Sequence, residues 1–229
     1  MTSSPEKFDA ILFDLLTAVL DSWTLWNAVA GDADAGRRWR EEYLRLTYAA
    51  GRYRPYESLV AEAAAQQGLD PTLTETLIDG WHDLRPWPEV PAVLRRLATT
   101  TRIGVVTNCS ETLGRLAAAQ VGVPFEVIMT AEAAGAYKPR PEPSERALAA
   151  LELPPARVLF VAGSPFDIPG ATGVGMKVWW HNRMRISRDH TIAPSAEHDS
   201  LTPLPDYLEH HAPLTNGSVV SRLPDDPNL

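Results

Sequence analysis

Short apolar runs, each separated from the next by a stretch of helical period, constrain this chain more than any other feature. They are Ala10 to Asp14, Ile103 to Val106, Phe125 to Met129, Val158 to Val161 and Gly175 to Trp180. Runs this short and without polar alternation read as strands buried on both faces, and a strand-helix-strand rhythm builds a parallel sheet with helices on each side. The expected fold is α/β, a doubly wound, Rossmann-like parallel sheet. Its helices are expected after Pro86-Trp87-Pro88-Glu89-Val90 through Leu97, from Glu111 to about Gln120, and from about Ser144 to Leu151.

The rhythm is broken once. After Asp21-Ser22, a helix cap, the pattern stays helical to about Asp83, with breaks near Gly31, Pro55 and Gly68-Leu69-Asp70-Pro71. A segment that offers no strand has to lie outside the sheet, as a helical cap over the strand tips. The expected division is an α/β core at 1–18 and 87–208, an inserted helical cap domain at 19–86, and a flexible tail at 209–229. His210-His211 in that tail lack a companion ligand set.

Asp14 closes the first run and so falls at a strand tip, where open α/β sheets place their chemistry. Alone it is equally a charged residue ending a strand. In the helical segment, Arg37, Glu41 and Arg45 recur every four residues and describe a solvated face. Arg40 instead borders the apolar side with Trp39, Tyr43 and Leu44. A guanidinium there snorkels to water, pairs with a core acid, or holds an anionic ligand.

Charge excludes one class of partner. The 229 residues carry a net charge of -8, and the one short Arg cluster is interleaved with acids, so no nucleic acid is expected. No apolar run approaches the ~20 residues of a membrane span, and Met1 to Lys7 contain no signal-peptide pattern. The expected location is the cytoplasm. The single cysteine, Cys109, follows Thr107-Asn108 and is either a small apolar filler or a thiol near the site.

Four stretches in order carry a resemblance. Phe13-Asp14 ends the first strand; Val106-Thr107-Asn108 ends the second; Ala136-Tyr137-Lys138-Pro139 supplies a Lys before Pro; and Val161-Ala162-Gly163-Ser164-Pro165-Phe166-Asp167 runs from a strand into an acidic turn. Together they resemble the haloacid dehalogenase superfamily, in its metal-independent 2-haloacid dehalogenase branch. The resemblance implies Asp14 as nucleophile, Lys138 and Asp167 as its charged partners, and Thr107 and Asn108 hydrogen-bonded to the nucleophile or substrate. It implies Arg40 as the substrate carboxylate's anchor, with Leu15, Leu16, Trp39, Tyr43, Ser164 and Phe166 around a small carboxylic acid. A homodimer through the cap would suit such a relative.

Several positions depart from the family pattern. Phosphatases of the superfamily carry an acid two residues after the nucleophile and another leading the fourth motif, where this chain has Leu16 and Gly163. No metal and no cofactor is therefore expected. The dehalogenase Asp-x-Tyr-Gly-Thr becomes Asp14-Leu15-Leu16-Thr17-Ala18, and Ser144, Ala162 and Ser164 replace a Tyr, a Ser and an Asn. The expected activity is displacement of a leaving group from the carbon beside a carboxylate, through an aspartyl ester. The alternatives are opening of a strained ring such as azetidine-2-carboxylate, a phosphatase with unusual metal ligands, and a non-catalytic binding protein.

Overall fold

The computed structural model describes residues 7–188 and 191–210. β1 (Ala10–Phe13), β2 (Arg102–Thr107), β3 (Val127–Thr130), β4 (Val158–Ala162), β5 (Lys177–His181) and β6 (Ala196–His198) form one sheet, in the order β3-β2-β1-β4-β5-β6. Every neighbouring pair is parallel. Phe13 lies opposite Val105 of β2 and Val161 of β4. The first three strands step toward one edge, then β4 returns to the other side of β1. That reversal opens a crevice at the carboxyl ends of β1 and β4.

Alternate residues of a strand face opposite sides of the sheet, and the two cores follow that rule. Ile11, Phe13, Val161 and Trp179 join a core that continues into the helical segment. Ala10, Leu12, Phe160 and Trp180 pack in a second core on the other face. All four residues of β1 are fully buried, which is why the run is apolar without alternation.

Between β1 and β2 lie α1 (Ser22–Ala30), α2 (Ala33–Ala49), α3 (Tyr56–Gln66), α4 (Leu73–Asp79) and a short 3-10 turn (Gly80–Asp83), followed by α5 (Val90–Leu97). Asp21 and Asp32 cap α1 and α2 by accepting from the N–H groups of Thr24 and Ala35. Trp26 meets Trp39 edge-on at 4.8 Å, and Tyr56 lies 5.2 Å from Tyr43 and 5.8 Å from Trp81. This aromatic cluster is the interior of the helical segment. The chain leaves and re-enters the sheet side by side: Leu20 bridges Pro86, and the Asp21 N–H donates to Arg85 O at 2.8 Å.

The remaining helices are α6 (Glu111–Gln120), α7 (Ala131–Ala134), α8 (Pro141–Leu151), α9 (Asp167–Gly173) and α10 (Leu204–His210). α8 begins three residues before the expected Ser144, because Pro141 stands in its first turn, where no N–H is needed. β6 and α10 were not expected. α10 includes Glu209, which pairs with Arg96 at 2.6 Å, so helix extends into the stretch read as tail; the rest of that stretch lies outside the described residues. Among the described residues, no helix is long and apolar enough to cross a membrane.

Candidate active site

β1 stops at Phe13, and Asp14 turns the chain instead of extending the strand. The Asp14 N–H still donates to Val161 O at 2.9 Å, which pins its backbone to β4. Its side chain then caps a π-helical turn, Leu15–Val19. Oδ2 accepts from the Thr17 N–H at 2.8 Å, the Ala18 N–H at 3.3 Å and the Thr17 hydroxyl. Thr17 thus supplies, one place earlier than the Thr of Asp-x-Tyr-Gly-Thr, a hydroxyl on the Asp14 carboxylate.

Oδ1 faces Lys138. Its Nζ lies 2.7 Å from Asp14 Oδ1 and 3.0 Å from Asp167 Oδ1, with all three side chains buried. Asp167 opens α9, and its Oδ2 accepts from the Ser164 N–H at 3.2 Å. Burial pushes the Asp14 carboxyl up, but the Lys138 ammonium and the Thr17 hydrogen bonds outweigh it and hold it below the usual carboxylate range. Burial raises Asp167, the Lys138 charge only partly offsets it, and Asp14 adds to the rise. Burial lowers Lys138, yet the two carboxylates raise it overall. Asp14 is the carboxylate that stays ionised, and Asp167 is the first to take a proton.

A cavity of about 440 Å³ opens over this group, lined below by Asp14, Leu16, Lys138, Asn108, Ser164 and Phe166. Trp23, Arg40, Tyr43 and Tyr48 of α1 and α2 line it from the opposite side. Arg40 is 4% exposed, and no carboxylate of the described residues lies within ion-pair distance of it. Its Nη1 donates to Ser22 Oγ at 2.5 Å, its guanidinium lies 4.4 Å from the Trp23 ring, and its Nε has no hydrogen-bond partner among the described residues. Burial lowers the Arg40 pKa, and a guanidinium remains charged nonetheless. Of the readings open from sequence, snorkelling and pairing with a core acid both fail. What is left is a buried cation at a cavity wall, with one guanidinium nitrogen free to donate.

Three residues expected at the site lie elsewhere. Leu15 points into the core, because neighbouring positions on a helical turn diverge and Leu16 takes the cavity side. Trp39 is fully buried, donating its indole N–H to Val60 O at 2.9 Å, for the same reason beside Arg40. Thr107 is buried at the end of β2, off the cavity wall, with no hydrogen-bond partner for its hydroxyl among the described residues. Asn108 lines the cavity but serves the backbone: its Oδ1 accepts from the Lys138 N–H at 2.7 Å, and its Nδ2 donates to Lys138 O at 3.1 Å. Tyr43 reaches the Asn108 carbonyl at 2.8 Å, and Phe166 packs 4.9 Å from Tyr48. Sequence reasoning missed Thr17, Ser22, Trp23 and Tyr48 as site residues, although Asp21-Ser22 had been marked as a cap and Tyr48 stands eight places after Arg40.

The donors do not fit a divalent cation. The Leu16 side chain offers no oxygen, its carbonyl is taken by the Ser22 hydroxyl, and a Cβ at Gly163 would come within 2.3 Å of the Ala18 backbone nitrogen, so no acid can stand there without displacing the turn. The Lys138 ammonium already bridges both carboxylates. No group of three potential ligands exists among the described residues.

The comparison with protein families agrees with this geometry: the model for haloacid dehalogenase-like hydrolases matches residues 11–181. The chain belongs to that family. This haloacid dehalogenase-like hydrolase is 27% identical to haloacetate dehalogenase H-2 of Moraxella sp. (strain B), over 90% of this chain and 98% of that one. It is 28% identical to (S)-2-haloacid dehalogenase H-109 of Pseudomonas putida, over 89% and 99%. Its fold superposes on the L-2-haloacid dehalogenase from Xanthobacter autotrophicus with chloropropionic acid covalently bound, with a TM-score of 0.78 at 20% identity, covering 88% of this chain and 98% of that one.

Proposed function

We propose that this hydrolase displaces halide from the carbon beside a carboxylate, with Asp14 as the nucleophile and no metal. The observation that carries this reading is Arg40, a buried cation without a carboxylate partner among the described residues, lining the same cavity as an ionised, buried Asp14. A substrate carboxylate on Arg40 places its neighbouring carbon toward Asp14. Arg40 holds one negative charge, which suits a monoanionic acid better than a phosphate monoester.

In this reading Asp14 Oδ1 attacks that carbon and expels halide with inversion, forming an aspartyl ester. Oδ2 becomes the ester carbonyl oxygen. Water then adds to Asp14 Cγ, giving its proton to Asp167, and the charge that develops on Oδ2 is received by the Thr17 and Ala18 N–H groups and the Thr17 hydroxyl. Collapse of the adduct releases a 2-hydroxy acid and restores Asp14. The segment at 19–86 acts as a cap that keeps bulk water out during the first displacement. A cytoplasmic location and a homodimer through the cap complete the reading.

The test is halide release from 2-chloropropionate in EDTA, with azetidine-2-carboxylate and p-nitrophenyl phosphate plus Mg²⁺ as competing substrates. Asp14→Asn is expected to lower halide release by roughly 10⁴-fold or more, as for removal of a covalent nucleophile. Single turnover in heavy-oxygen water should label the Asp14 carboxyl. An unlabelled Asp14 during productive turnover would falsify the covalent route.

A further inference from the structure

The peptide groups that bind Asp14 are themselves held from behind. In a trans peptide, C=O and N–H point in opposite directions, so gripping one aims the other. The Leu16–Thr17 peptide gives its N–H to Asp14 Oδ2 at 2.8 Å, and its carbonyl, Leu16 O, accepts from the Ser22 hydroxyl. The Thr17–Ala18 peptide gives its N–H to the same oxygen at 3.3 Å, and Thr17 O accepts from Trp87 Nε1 at 3.0 Å. The next carbonyl, Ala18 O, pairs with His181 Nδ1 at 2.8 Å.

Ser22 differs from the other two holders. It is fully buried, and besides gripping Leu16 O it accepts from Arg40 Nη1 at 2.5 Å. A guanidinium only donates, so Ser22 Oγ must accept there, and its own proton is left for Leu16 O. Arg40 thereby sets the hydroxyl's direction. A continuous chain of donors results: Arg40 Nη1 to Ser22 Oγ, Ser22 Oγ to Leu16 O, and across that peptide the Thr17 N–H to Asp14 Oδ2. Each bond in such a chain polarises the next.

We infer that Ser22 is a positioning residue that couples the substrate-binding Arg40 to the nucleophile Asp14 through the Leu16–Thr17 peptide. This rests on the roles proposed above for those two residues. Pull on the guanidinium by a bound carboxylate is felt at Asp14 Oδ2, and the oxygen that receives charge during ester hydrolysis is tuned from the opposite wall of the cavity.

Two measurements test it on the intact protein. The first needs no substrate: the amide proton shift of Thr17, followed by NMR against pH, reports the titration of Asp14. Ser22→Ala should move that midpoint to higher pH, Ser22→Thr should restore it, and Arg40→Met, which leaves Ser22 in place, should move it in the same direction. The second is kinetic. Ser22→Ala should lower kcat for 2-chloropropionate by roughly tenfold, the range for loss of one hydrogen bond near a charge, and change KM less. In the Arg40→Met background the same substitution should add little.

An unchanged midpoint in both Ser22→Ala and Arg40→Met overturns the coupling, as does full additivity of the two substitutions in kcat. A residue with only a structural role would lower Tm while leaving the midpoint where it was. Because the titration is read without turnover, absence of halide release would sink the proposed reaction and leave this inference to stand or fall separately.

Discussion

Two buried cations line one cavity and are held in opposite ways. Lys138 stands between Asp14 and Asp167, within 3.0 Å of both. Arg40 has a hydroxyl and an indole face, and no carboxylate partner among the described residues. The first arrangement is complete in itself, since two carboxylates compensate the charge that burial penalises. In the function proposed above, the second is completed by the substrate carboxylate. On that reading the difference separates machinery from binding site: groups that react are matched by the protein, and the group that selects is matched by the substrate.

The largest expected consequence lies in stability. Lys138→Met leaves two buried carboxylates facing each other and should cost about 3–5 kcal/mol at neutral pH, read as a fall in urea-unfolding free energy. The loss should shrink on acidification, as Asp167 and then Asp14 take protons. Wild-type stability in Lys138→Met at neutral pH would break the distinction.

Arg40→Met sharpens it from the other side. Removing an uncompensated buried charge should leave the unfolding midpoint unchanged or higher, while kcat/KM for 2-chloropropionate falls by about 2–3 kcal/mol of transition-state stabilisation. A stability loss matching that of Lys138→Met would mean that Arg40 has a partner in the folded protein after all.

The smallest effect concerns pH. The folded pKa of Lys138 is raised above its unfolded value, so the stability it contributes is complete below the unfolded value and is lost as pH rises through the folded one. Activity should therefore hold level through the ordinary lysine range near about 10.4. An alkaline limb below that, still present in a His181→Asn control, would place Lys138 in a weaker field than its two carboxylates provide.

Much of the sheet was legible because parallel strands buried on both faces have nowhere to hide a polar residue, as in Val158-Leu159-Phe160-Val161. β6 escaped because an edge strand of Ala196-Glu197-His198 is polar and short, so its pattern resembles a loop. Asp14, Lys138 and Asp167 were legible as motif ends. What failed was direction: Trp39 beside Arg40 and Leu15 beside Leu16 sit on different sides of their helical turns, so adjacency in sequence misplaced them. The partnership of Asn108 with the Lys138 backbone joins positions 30 apart, and no periodicity reports it. The turn that brings Thr17 onto Asp14 is π-helical, a geometry without a sequence signature of its own.

β1 has a neighbour on each side, so its amides should exchange with solvent only when the whole sheet gives way. The acid at its tip is then among the last parts of the molecule to lose its place on heating. Arg40 sits on a segment without strands and is free to loosen earlier. A warmed preparation is expected to lose its grip on dilute substrate while its maximal velocity persists, so thermal inactivation should register first as a climbing KM.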